Sequence, residues 1–128
     1  MDAPPGGGAG APPPSVVTVF RSTLRPDAAE EYEAVAARML SLARAMPGFV
    51  DYKTFAAEDG ERVTIVTFAS LAAHQAWRDH PEHRQAQRLG RERFYDAYAI
   101  QVGLCLTEAR FRRGENGSPD TSDRELGI

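Results

Sequence analysis

Five apolar side chains, Tyr32, Val35, Met39, Leu42 and Met46, recur at steps of three and four. That spacing places them on one stripe of a helix, and a one-sided helix must be covered by a sheet or by other helices. Pro26 and Asp27 open this helix, with Asp27, Glu30 and Glu31 near the positive end of its dipole. Pro47-Gly48 stops it. On its N-terminal side, Val16-Val17-Thr18-Val19-Phe20 is β-branched and aromatic and predicts a strand reaching as far as residue 24. On its C-terminal side residues 49–55 predict a second strand, Asp59-Gly60 a tight hairpin turn, and residues 62–68 a third strand rich in Val, Thr and Ile. Ser70 can cap a short helix over 71–79, and Pro81 suits the first turn of another that ends near Tyr95. Tyr98, Ile100, Val102, Leu104 and Leu106 alternate along a fourth strand that can continue toward residue 111.

The resulting order, β-α-β-β-α-β with the second helical region broken in two, is the ferredoxin-like α+β pattern: helices on one face of an antiparallel sheet. The pairs Val17/Val19 and Val63/Ile65 give the strands apolar content on both faces. A monomer would leave one such face wet. Packing two sheets face to face buries it, so a homodimer is expected, with an interface on the order of 2,000 Å² or more.

Residues 1–14 (MDAPPGGGAGAPPP) and 114–128 (GENGSPDTSDRELGI) are poor in core-forming side chains and read as disordered tails around a domain at 15–113. The net charge of −3 sits in these tails, −1 in the first and −3 in the second, which leaves the middle at +1. Such a body gives no electrostatic reason to expect nucleic acid or an anionic membrane. No apolar run approaches the roughly 20 residues of a membrane helix. The N-terminus lacks the basic start and apolar stretch of a secretory signal. Cys105 is the only cysteine, which suits a reducing cytoplasm.

All three histidines, His74, His80 and His83, fall within ten residues beside the only tryptophan, Trp77. Imidazole titrates near neutrality, so proton transfer or ligand binding is expected to concentrate here. His74 and Trp77 are three apart and share a helix face. His80 precedes Pro81 and is either a cap or a functional group. His83 shares a face with Ala86, Gly90 and Phe94 that should point inward; it is either a satisfied core histidine or a functional one. Tyr52 alternates with Val50 and Thr54 on the second strand, as core or as a pocket donor. His80 and His83 lack the cysteine or further ligands of a metal centre, and no metal is expected. Arg91-Glu92-Arg93 fits a solvated helix face.

Several motifs together resemble the antibiotic biosynthesis monooxygenase family of dimeric α+β barrels. They are Met46-Pro47-Gly48-Phe49 before the second strand, the Asp59-Gly60 hairpin, and Ala76-Trp77-Arg78-Asp79-His80-Pro81-Glu82-His83. The Gly90-Arg91 pair and Phe94-Tyr95 before the last strand complete the set. The resemblance covers roughly residues 15–106. It implies a small, cofactor-independent monooxygenase that oxidises an aromatic, polyketide-like phenol or anthrone with O2. On that reading Trp77 and Phe94 line a flat apolar pocket, and His74, Arg91 and Tyr95 supply further polar contacts to the substrate. His83 is the first choice as proton acceptor, with His80 behind it and Tyr52 as a hydrogen-bond donor. The haem-degrading branch pairs such a tryptophan with an Asn on the first strand and a His about ten residues after the tryptophan. Here Phe20 and Arg21 stand in the first place and Gln87 in the second, so haem is not expected. The same fold also accommodates a non-oxidative ligand-binding, stress-response or cyclase-like protein.

Overall fold

The computed structural model describes residues 12–114. The elements run β1 (Val16–Leu24), α1 (Ala29–Arg44), β2 (Phe49–Ala56), β3 (Arg62–Phe68), α2 (Leu71–Arg78), α3 (Pro81–Leu89), a π-helical turn (Gly90–Phe94) and β4 (Tyr95–Leu104). The strands form one antiparallel sheet of order β2-β3-β1-β4. This is the ferredoxin-like α+β fold expected from the periodicities. Of the two expected tails, residues 1–11 and 115–128 lie outside the described residues.

Register assigns the two faces of the sheet. Val16, Thr18, Phe20 and Ser22 stand opposite Phe68, Val66, Thr64 and Arg62 on β3, and opposite Leu104, Val102, Ile100 and Tyr98 on β4. This even-numbered face carries the helices. Val17, Val19, Val63 and Ile65 lie together on the other face, which no element among the described residues covers. One core cluster, Met39, Ala43, Phe68 and Trp77, joins α1 and α2 to the sheet. A second, Ala28, Tyr32 and Phe94, lies at the N-terminal end of α1.

The structure moves four sequence expectations. Helix α1 begins at Ala29 rather than at Pro26-Asp27, because Ala28 N–H bonds the Arg25 carbonyl at 3.1 Å and closes a turn first. Strand β4 runs from Tyr95 to Leu104 instead of 98–106: Tyr95 already pairs with Leu24, and the ladder ends where β1 ends, at Val16 opposite Leu104. Only one further bond, Cys105 N–H to the Ser15 carbonyl at 2.9 Å, extends it. A bulge between Phe49 and Asp51 breaks the alternation on β2, so Phe49 rather than Val50 shares the core face with Tyr52. The last helical stretch leaves the α form at Leu89 and continues as the π turn, which the sequence reading did not anticipate.

Two glycines serve these junctions. Gly48 has φ +83°, and a Cβ there would stand 2.6 Å from the Ala73 Cβ, so the loop after α1 can lie against α2. Gly60 has φ +92° at the hairpin, where the Asp59 carboxylate accepts from the Glu61 N–H at 2.9 Å.

Candidate active site

The helices do not close completely on the sheet. A cavity of about 520 Å³ spans both core clusters and opens along β4, where Tyr98, Ile100 and Val102 line it while remaining exposed. Seven of the eight side chains expected at a site border it: Tyr52, His74, Trp77, His83, Arg91, Phe94 and Tyr95. His80 does not. It caps α3, its Nδ1 accepting from the Glu82 N–H at 3.1 Å. A histidine before a proline at N1 is well placed for that work.

Helix α2 is fixed at its start by Ser70, whose Oγ accepts from the Ala73 N–H at 3.1 Å. Its inward face presents His74 and Trp77, both buried. Trp77 is 4% exposed and belongs to the main core, yet it also forms cavity wall. The His83 ring stacks on the indole, with centroids 4.0 Å apart and planes 14° from parallel. Its Nδ1 lies 3.0 Å from the carbonyl oxygen of Trp77 itself. A carbonyl can only accept, so Nδ1 carries the proton and Nε2 is left with its lone pair. Burial holds the imidazole below its ordinary value; the Trp77 carbonyl opposes this, and His80 and His74 add to it. His83 is thus a neutral base with one nitrogen tethered and the other available. Burial also lowers His74, with the Arg78 charge adding and Asp79 opposing.

Besides Tyr98, three tyrosines line the cavity: Tyr52 packs against the Met39 and Trp77 cluster, and Tyr32 and Tyr95 lie at the Phe94 cluster. Burial pushes Tyr52 up to about 12, with Tyr32 adding to it. Tyr95 is raised by burial first, then by Tyr32 and Tyr52, and its hydroxyl interacts directly with that of Tyr32. The Arg62 guanidinium lies 5.2 Å above the Tyr32 ring while pairing with Glu33 at 3.2 Å. Tyr95 packs edge-on to Phe20 at 5.3 Å and to Tyr32 at 6.1 Å. The buried Gly90 makes room for it, since a Cβ there would stand 2.5 Å from the Tyr95 Cε2. On the sheet floor the Thr64 and Thr54 hydroxyls bond at 2.8 Å. Among the described residues no carboxylate lines the cavity, whereas Arg78 and Arg91 do. Arg78 is paired with Asp79 at 3.2 Å; Arg91 has no ion pair among the described residues.

Sequence reasoning missed Tyr32, Phe20 and Tyr98 as cavity residues. Tyr32 was assigned to the helix stripe on apolarity alone; its hydroxyl, one polar atom on an otherwise apolar stripe, was the available signal. The two residues that the haem-degrading pattern lacks in the sequence are engaged otherwise in the fold. Phe20 stands on β1 within an aromatic group with Tyr95 and Tyr98, and Gln87 spends its amide on the Arg78 carbonyl at 3.4 Å. Among the described residues no group of three or more His, Cys, Asp or Glu could hold a metal ion. No helix there is long and apolar enough to cross a membrane.

Residues 15–89 match the family described as antibiotic biosynthesis monooxygenase. The chain is 31% identical over 105 residues to the uncharacterised protein YqjZ of Bacillus subtilis, covering 82% of this chain and 92% of that one. Its fold is similar to that of Rv0793 from Mycobacterium tuberculosis, with a TM-score of 0.68 at 27% identity over 75% of this chain and 99% of the other. SnoaB from Streptomyces nogalater, a cofactor-independent oxygenase, shares the fold with a TM-score of 0.60 at 22% identity, over 76% and 96% of the two chains. With the match over residues 15–89, more than half of the chain, the chain belongs to the antibiotic biosynthesis monooxygenase family.

Proposed function

We propose that the protein is a cofactor-independent monooxygenase that oxidises a small planar phenol or anthrone with O2, as a cytoplasmic homodimer. The observation that carries this reading is His83: an imidazole tethered through Nδ1 to the Trp77 carbonyl, at the wall of an aromatic-lined cavity with no carboxylate among its described residues. Such a base takes the acidic proton of the substrate. The resulting anion is electron-rich and lies beside Arg91 and the raised tyrosines, which stay protonated and donate hydrogen bonds to it. The anion passes an electron to O2. One oxygen atom then enters the substrate as a carbonyl and the other leaves as water. Turning the methylene of an anthrone into the quinone carbonyl supplies all four electrons, so no external reductant is needed. His74, Trp77 and Phe94 serve as substrate-binding wall, and Tyr52 and Tyr95 as donors. The uncovered row of Val17, Val19, Val63 and Ile65 supports the dimer, because a second sheet would remove it from water.

The test is oxygen uptake by metal-stripped protein against a panel of anthrones and polycyclic phenols, with labelled O2. The expected result is one O2 consumed and one labelled atom incorporated per product, lost in His83→Gln by about 10²–10⁴. No uptake on any member, or uptake only after a metal is added back, would refute the reading.

A further inference from the structure

Tyr95 forms one wall of the cavity, and three other rings bound it: Phe20 at 5.3 Å, Tyr98 at 5.8 Å and Tyr32 at 6.1 Å between centroids. On its remaining side lies Gly90, buried in the π turn. A Cβ on Gly90 would stand 2.5 Å from Cε2, 3.0 Å from Cδ2 and 3.7 Å from Cζ of Tyr95. One edge of the tyrosine ring therefore occupies the place of the missing side chain. The backbone at Gly90 is ordinary helix, with φ −58°, so its dihedrals do not call for glycine. What the position supplies is room for Tyr95.

That room is taken from the turn instead of from the cavity. The cavity follows α1 from Met39, in the Trp77 cluster, to Tyr32, in the Phe94 cluster that Tyr95 packs against. Met39 and Tyr32 are seven residues apart, a rise of about 10 Å, roughly the length of three linearly fused six-membered rings. We propose that Gly90 sets the ring count of the ligand: by taking the edge of Tyr95 into the π turn, it leaves the cavity long enough for a planar phenol of three fused rings. This rests on the planar phenol of the proposed function, but on no step of its oxidation. Gly90 is a positioning residue, since it acts through Tyr95. For a Cβ at 90 to reach an ordinary contact of about 3.5 Å, the ring edge must retreat by about 1 Å. Phe20, Tyr32 and Tyr98 bound the ring elsewhere, so the retreat goes into the cavity. A close-packed interior transmits such a shift. The third ring of a ligand that starts on Trp77 then meets Tyr95, whereas a ligand of two rings stops short of it.

Equilibrium binding of 2-naphthol and 2-anthrol to the full chain under argon tests ring count without turnover. The readout is quenching of Trp77, the only tryptophan. The native chain should bind 2-anthrol about fivefold or more tighter than 2-naphthol, because a third ring is buried. Gly90→Ala should weaken 2-anthrol about tenfold or more and leave 2-naphthol within about threefold. Adding Tyr95→Val to Gly90→Ala should restore 2-anthrol. Tyr95→Val alone should let 1-hydroxypyrene, a larger ligand of four rings, bind about fivefold or more tighter than it binds the native chain. Tyr95→Phe keeps the ring and should keep the preference for three rings. A purely structural role of Gly90 would weaken both ligands alike, and equal losses overturn the proposal. So does unchanged 2-anthrol binding in Gly90→Ala, with Tyr95 swung outward. A native chain that binds neither ligand, or prefers 2-naphthol, overturns it too. Should Gly90→Ala fail to fold, nuclear Overhauser contacts in the native chain decide. The third ring of bound 2-anthrol should touch the Tyr95 ring, and no contact there overturns the proposal. The expected ring-count order with no oxygen uptake from any phenol keeps the role of Gly90 and removes the oxygenase. Uptake without that order does the reverse.

Discussion

His83 lies flat on Trp77 and is hydrogen-bonded to the same residue: 4.0 Å between ring centroids and 3.0 Å from Nδ1 to the Trp77 carbonyl oxygen. A side chain held at its face and at one nitrogen loses little further freedom when a substrate arrives, which is what a positioned base requires. The residue that reads in sequence as a pocket wall is therefore also the residue that orients the proposed base. Trp77 lies near the end of α2 and His83 in the first turns of α3, so the helix break at Asp79-His80 is what lets the two rings meet.

The pH dependence of stability should report this burial. His83 and His74 both lie below the ordinary 6.5 in the folded chain. Between the folded values and 6.5 the unfolded chain carries protons that the folded chain lacks, so stability rises with pH across that window. It is complete above 6.5 and is lost as pH falls through the folded values. The melting temperature should fall as pH is lowered below about 6.5, and His83→Gln should flatten the fall. Parallel profiles for the two proteins would mean that His83 titrates as it does in water.

Gly90→Ala sets two effects against each other. Its backbone is helical, with φ −58°, so alanine gains about 1 kcal/mol of helix propensity. The new Cβ meets the Tyr95 ring at 2.5 Å, and that ring is wedged between Phe20, Tyr32 and Tyr98. Overpacking costs about 1–3 kcal/mol, so the variant should be less stable by about 1 kcal/mol, with its urea midpoint lowered. A midpoint at or above that of the native chain would show that Tyr95 can swing aside.

Much of this site was legible because helix faces carry it. His83, Ala86, Gly90 and Phe94 were placed together by spacing alone, and His83, Ala86 and Phe94 line the cavity while Gly90 is buried. What stayed hidden depends on pairing between distant segments. Nothing local marks Val50 as a bulge residue; the offset exists only because Phe49 meets Phe68 and Asp51 meets Thr67. The π turn is likewise a consequence of Tyr95 pairing with Leu24 while Phe94 N-terminal to it stays in the core. The tyrosines that line the cavity come from α1, β2 and β4, at residues as far apart as Tyr32 and Tyr95, and no motif spans that distance.

Ser70 anchors the helix that carries Trp77 and His74, through the Ala73 N–H. Ser70→Ala should cost about 1 kcal/mol, and Ser70→Asp should hold stability because a carboxylate can cap the same N–H. The loosened helix should weaken 2-naphthol binding in the alanine variant alone. Equal stability of all three proteins, by urea denaturation, would mean that tertiary packing fixes α2 without its cap.

The uncovered sheet face makes the last prediction. Ile65 stands opposite Val19 on β1 and Lys53 on β2, at the middle of that face and away from the helices. The native chain should have twice its 14.0 kDa chain mass by light scattering at micromolar concentration. In a face-to-face dimer, a lysine at 65 would be buried beside the like charge of Lys53, a penalty of several kcal/mol that falls on association and not on the core beneath the helices. Ile65→Lys should therefore scatter as a folded monomer, with its far-UV spectrum unchanged. A native mass of 14.0 kDa would remove the dimer altogether. A variant that remains dimeric would shift the interface to the exposed row of Tyr98, Ile100 and Val102 on β4, and a partner there would lie across the mouth of the cavity.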